Sequence, residues 1–259
     1  MKRTVNRNEI SRPRAFMSVF ELAVRRALPT AAAAALVFSL ISFFAALAAA
    51  RWGASEAPEA LFSVSRARLT AFIGLALLSL ALCGVSSGRT REEYLLHRLS
   101  LGEAGITAAR WLAGAVMLAV YWALLALAAL AACLAARDLR PDGFTVQTIF
   151  LGFYRSEYLH NLLPLCDAAA LVRNAVMLLS LAAVCACAAG RCGKSRVPAS
   201  LVIMLALFFA AFRTELYEAT PAILETLAAP AVAGFSVYAY FTADGGGEDG
   251  GETDEEAFA

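Results

Sequence analysis

The sequence predicts an all-α fold. It is a polytopic membrane helical bundle of six transmembrane helices, with an amphipathic N-terminal helix and a cytoplasmic helical hairpin. Three observations predict it. The 259-residue chain is 60% hydrophobic and only 17% charged, where soluble domains are roughly 45–50% apolar and 25% charged. The apolar excess is gathered into long runs that lack charge, which is the signature of membrane spans. Lys and Arg flank those runs and are shared unevenly between the loops. Six spans with short loops use up this length, so one membrane domain and no soluble catalytic domain is expected. The chain divides into a cytoplasmic amphipathic segment 1–27, a transmembrane domain 28–241 and a disordered acidic tail 242–259.

The spans follow in order. The first is Leu28–Ala50, between Arg25/Arg26 and Arg51/Trp52. The second is Leu69–Ser87, between Arg68 and Arg89. The third, Trp111–Ala136, is long enough to tilt or protrude. The fourth is Ala168–Gly190, and the fifth is the short run Val197–Phe212. The sixth, Ala222–Phe241, contains Pro230, which predicts a kink or a locally opened backbone. Trp52, Trp111, Tyr238, Tyr240 and Phe241 fall where an interfacial aromatic belt sits.

Orientation follows from Lys and Arg in the loops. With the N-terminus inside, the inner segments hold fourteen of these residues and the outer loops seven, with Arg173 left inside a span. Both termini are therefore expected in the cytoplasm, in a multi-pass protein of the cell membrane. The first 26 residues hold seven Lys and Arg. The apolar run behind them is too long for a cleavable signal, and more spans follow.

Four segments lie outside the spans. In 14–26, Phe16, Val19, Phe20, Ala23 and Val24 recur at helical spacing. With Arg14, Arg25 and Arg26 nearby, this helix is expected to lie flat on the anionic inner leaflet. Residues 89–106 join the second and third spans. Arg91–Leu99 is expected to be a short helix with Leu95 and Leu99 on one side. Ser100-x-x-Glu103 then forms a capping box that starts the next helix. This break has two readings: an interfacial hairpin, or a docking element for a cytoplasmic partner. The docking reading places Arg91, Glu92, Tyr94, His97, Arg98, Ser100 and Glu103 on the partner surface. Residues 137–167 form the longest outer segment, and its middle, Thr145–Leu165, is expected to be an interfacial or re-entrant helical piece. The tail combines Gly with seven acids and cannot bury a core.

Several motifs imitate chemistry. Gly193-Lys194-Ser195 resembles the end of a P-loop, but position 188 is Ala and no strand precedes it. Gly84-Val85-Ser86-Ser87-Gly88 matches a nucleophile elbow, yet it closes a membrane helix and not a strand. His97 and His160 are the only histidines, and both fall outside the spans. Cys185 and Cys187 point about 200° apart on a helix, so they read as packing residues and not as metal ligands. Cys133 and Cys166 both fall toward the outer side, which leaves a bridge open beside the free-thiol reading. No catalytic residue, cofactor, metal or nucleic-acid partner is expected.

The span pattern and the hairpin together resemble the exporter-type permease subunits of ABC transporters, especially the compact six-span permeases of Gram-positive bacteria. Tyr94, Arg98, Leu99, Ser100 and Glu103 follow that family's coupling-helix pattern, except that two residues between Leu and Ser are missing. Phe153–His160 also resembles segments of such permeases. A second departure is the long outer segment, which precedes the fourth span where many members place it between the fifth and sixth. The resemblance implies a separate ATPase subunit, a second permease chain and surrounding membrane lipids as partners. It also implies coupling of ATP hydrolysis to transport, in the direction of export. The alternative is a non-transporting membrane scaffold or regulator that docks a cytoplasmic partner. Intramembrane polar residues are default functional candidates. Here they are Arg173 and Asn174 in the fourth span and Glu225 in the sixth. Arg173 and Glu225 lie toward the same outer side and could pair as an ion bridge; structural pairing or snorkelling is expected ahead of substrate binding.

Overall fold

Inside a bilayer no water takes up backbone N–H and C=O groups, so long apolar runs fold as helices that pair those groups internally. The computed structural model describes residues 7–52, 57–84, 102–141, 144–165, 167–190, 198–212 and 219–244. Among these the fold is all helical, with no strand. The helices are α1 (Arg7–Arg51), α2 (Pro58–Val64), α3 (Ala67–Leu82), α4 (Glu103–Leu139), α5 (Val146–Arg155), α6 (Glu157–Leu162), α7 (Ala168–Gly190), α8 (Ala199–Ala211) and α9 (Ala219–Asp244).

Four stretches are long and apolar enough to cross a membrane: Ala27–Arg51 in α1, Glu103–Leu139, Ala168–Gly190, and Ala222–Thr242 in α9. α2 and α3 make a fifth only as a pair, bent by 55°. The bend sits at Ser65 and Arg66, where Arg66 takes the left-handed backbone at φ 51°. α8 has 13 residues, about 20 Å of helix against a hydrocarbon core of about 30 Å. The fifth expected span is therefore shorter than its apolar run suggested. α3 also stops before the expected Ser87. Cys83 closes the helix, and Gly84 follows at φ 70° with its N–H on the Ala81 carbonyl at 3.1 Å. A glycine leaves a helix this way because it has no Cβ to clash. Gly84 thus begins a helix terminus, as its membrane context implied. Ser86 lies outside the described residues.

Side-chain contacts fix the helix directions. At one end Val19 of α1 meets Ile106 and Ala109 of α4. There too the Trp111 indole donates to the Leu179 carbonyl at 3.0 Å, and Ser200 of α8 meets Ser236 of α9 at 3.3 Å. At the other end, α2, α5 and α6 form a cap. α1, α4 and α8 run toward the cap, and α3, α7 and α9 run away from it. α1 packs most extensively on α4, α7 on both α4 and α9, and α3 on α1. Small buried residues suit a close first contact: Ala31, Ala35, Ala46, Ala49 and Ala50 on α1 and Ala129, Ala132 and Ala136 on α4 all belong to the same buried core.

The amphipathic stretch of α1 is continuous with the first span. On its apolar face Val19 is buried, with Phe16 and Phe20 partly buried around the contact with α4. Ser100, the capping residue of the expected box, lies outside the described residues. α4 begins at Glu103 with Gly102 as its N-cap and no side-chain cap bond. Glu103 is then the first helical residue, too early to reach back as the third residue of a box. Pro230 stays within α9, which continues on both sides of it.

Candidate functional site

The site is built around α6, a six-residue helix that lies between two arginines. Short helices expose more end than middle, so their terminal groups need partners from elsewhere. At the N-terminus the Ser156 hydroxyl accepts from the Leu159 N–H at 3.4 Å. At the C-terminus other helices supply the donors. Asn174 Nδ2 on α7 donates to the Asn161 carbonyl at 2.6 Å. Trp122 Nε1 on α4 donates to the Leu162 carbonyl at 2.8 Å.

Glu157 and Asn161 stand four residues apart on α6, one above the other on a helix face. Each meets an arginine from a different helix. Arg173 Nη2 on α7 donates to Asn161 Oδ1 at 2.5 Å and to Asn174 Oδ1 at 3.4 Å. Its Nη1 lies 3.6 Å from Glu225 Oε2 on α9. Arg173 is 4% exposed and Glu225 8%, so each charge depends on the other for neutralisation. One turn earlier, Arg68 Nη1 on α3 lies 3.8 Å from Glu157 Oε2 and donates to the Phe212 carbonyl at 3.4 Å. That pair is open, with side chains 39% and 46% exposed.

Carbon fills the space between the charges. Tyr158 of α6 stacks on Phe62 of α2 at 5.8 Å and lies 6.1 Å from Phe212. Burial pushes its phenol up from the usual range, so the hydroxyl stays neutral. Gly152 on α5 lets α2 approach: a Cβ there would sit 2.7 Å from the Pro58 Cβ. Asp167 begins α7, its Oδ1 accepting from the N–H groups of Ala169 and Ala170 at 2.9 and 3.1 Å. Its Oδ2 lies 3.7 Å from His160 Nε2, an ion pair only when His160 is protonated.

The structure thus brings Arg173, Asn174 and Glu225 together at one buried point. It adds Asn161, Trp122, Arg68 and Glu157, which sequence reasoning missed. The four-residue spacing of Glu157 and Asn161 was the available signal, within a segment already read as helical. Arg91, Glu92, Tyr94, His97, Arg98 and Ser100 lie outside the described residues, as do Gly193, Lys194 and Ser195. Glu103 is exposed at the start of α4, at the end opposite the cap. Cys133, Cys185 and Cys187 are buried free thiols, while Cys166 lies outside the described residues. Among the described residues no group of three His, Cys, Asp or Glu side chains is placed to hold a metal ion. Compared with protein-family models, curated proteins and solved structures, the chain matches none of them.

Proposed function

We propose that this chain is the membrane-spanning permease subunit of an exporter-type ABC transporter, working with a separate ATPase subunit and a second permease chain. One observation carries the reading. α1 runs past its apolar stretch at the end opposite the cap, and packs there on the start of α4 through Val19, Ile106 and Ala109. The segment between Gly84 and Gly102 joins α3 to α4 at that same end. A ledge of two packed helices beside the connecting segment suits a load-bearing contact with a cytoplasmic ATPase. The resemblance at Tyr94, Arg98, Leu99, Ser100 and Glu103 supports the same contact. Six crossings, with both termini cytoplasmic, agree with the alternating helix directions and the loop charges. α8 serves as the shortest of these crossings.

The first test is co-purification of the tagged chain with an ATPase that carries a complete P-loop. Arg98→Glu and Glu103→Arg are expected to weaken that capture, and a chain that brings down no ATPase overturns the reading. The internal pairing of Arg173, Asn174 and Glu225 favours a second reading, a static scaffold that docks a partner without moving cargo. ATP hydrolysis that depends on this chain in reconstituted vesicles separates the two. Glu225→Gln sharpens the role of the buried pair. Loss of transport with assembly intact would place Glu225 in the transport cycle.

A further inference from the structure

The bundle has a long side and a short side. α4 carries the apolar run Trp111–Ala136, and Trp122 stands near its middle, about 17 Å past Trp111 and about 21 Å short of Ala136. Yet Trp122 already meets the cap, through its bond to the Leu162 carbonyl at 2.8 Å. α3 and α7 begin at the same level. Tyr121 donates to the Ala71 carbonyl at 2.7 Å, and Arg68 lies one turn before Ala71. Leu179 is level with Trp111, and Asp167 lies about 18 Å back along α7, which brings it level with Trp122. α8 ends there too, its Phe212 carbonyl accepting from Arg68 at 3.4 Å. The charges at this level are open: the side chains of Arg68, Glu157 and Asp167 are 39%, 46% and 46% exposed. Beyond it, toward the ends of α1 and α4, Phe44, Leu127 and Leu134 are exposed and apolar.

Open charges in hydrocarbon are costly, and large apolar side chains open to water are prone to associate. One flat bilayer cannot suit both sides of this bundle. A depth that covers Phe44 and Leu134 with lipid also puts Arg68, Glu157 and Asp167 in lipid. A bilayer thins where the apolar length it meets is short. We propose that the outer surface of the membrane dips on the cap side. Water then stands at Arg68, Glu157 and Asp167, near the middle of α4, while lipid still covers Phe44 and Leu134. The dip accounts for α8, whose 13 residues need only reach its floor. A polar solute beside α8 meets about 20 Å of hydrocarbon, where an unperturbed bilayer presents about 30 Å. The inference needs the bundle to be in a bilayer and does not need it to transport, so the ATPase-capture test and this one fail separately.

The test reads water from the outer side. Glu157→Cys, Phe44→Cys and Leu134→Cys are made one at a time in the full chain carrying Cys166→Ser. Intact cells are treated with a membrane-impermeant maleimide, and each labelling rate is read against the Cys166→Ser parent. The thiols of Cys83, Cys133, Cys185 and Cys187 are buried. Glu157→Cys is expected to react. Phe44→Cys and Leu134→Cys, though nearer the outer ends of their helices, are expected to react at least about a hundredfold more slowly, because a thiol in apolar surroundings forms little thiolate. An unreactive Glu157→Cys overturns the proposal. Phe44→Cys or Leu134→Cys reacting as fast as Glu157→Cys also overturns it, since α1 and α4 then project from a flat bilayer into water. Where Glu157→Cys fails to assemble, the same outcomes are read at Leu165→Cys, exposed between α6 and α7.

Discussion

Arg173 and Arg68 hold the same short helix near its two ends, in opposite surroundings. Arg173 is enclosed, with Asn161, Asn174 and Glu225 around it. Arg68 stands half-open, with one carbonyl and one carboxylate at longer range. A charge sealed in protein must be answered by protein, and losing its partner leaves an unpaired charge behind. A charge open to its surroundings can be answered by them, so its protein partners are replaceable. The cap is thus fixed on its α7 side and releasable on its α3 side.

The largest expected effect breaks the enclosed side. Arg173→Leu leaves Glu225 buried and is expected to destabilise the bundle by about 3–5 kcal/mol, read as thermal unfolding in detergent. The double change Arg173→Met/Glu225→Leu is expected to recover most of that loss, because it removes both charges. A double variant as unstable as the single one would show that the pair is not a self-contained unit. Next comes Asn174→Ala, which deprives the Asn161 carbonyl of its donor. Its expected cost is about 1–2 kcal/mol, near the upper end measured for hydrogen bonds within membrane proteins. Trp122→Phe keeps the ring and loses the donor to the Leu162 carbonyl, at an expected cost of about 0.6 kcal/mol. Both are checked by the same unfolding measurement. Arg68→Gln is expected to cost less than about 1 kcal/mol. If it matched Arg173→Leu, the contrast between the two sides would be lost.

The crossing helices were legible because a long charge-free run has few other ways to satisfy its backbone. α7 has the bounds Ala168–Gly190 that its apolar run predicts, and the Arg173–Glu225 contact was expected from two charges at matching depth. The cap was legible only as a vague helical stretch. The division into α5 and α6 at Ser156, and the helix at Pro58–Val64, depend on partners far along the chain: Trp122, Asn174 and Phe212. No local pattern encodes those partners. The amphipathic face of 14–26 packs in part on α4 through Val19, a neighbour that its spacing does not name. Periodicity tells which face is buried and is silent on what buries it. The start of α4 at Glu103 was not legible either, since a matching spacing does not decide which residue starts a helix.

The continuity of α1 has one more consequence. Pro29 falls where the ledge portion meets the span. Proline has no N–H to offer the carbonyl four residues earlier and crowds it as well. The long helix therefore lacks one backbone hydrogen bond at that point, a little beyond where Val19 ties it to the start of α4. From the same contact α4 runs on without a break to Trp122, whose indole holds the Leu162 carbonyl of α6, so α4 ties the two ends of the bundle together.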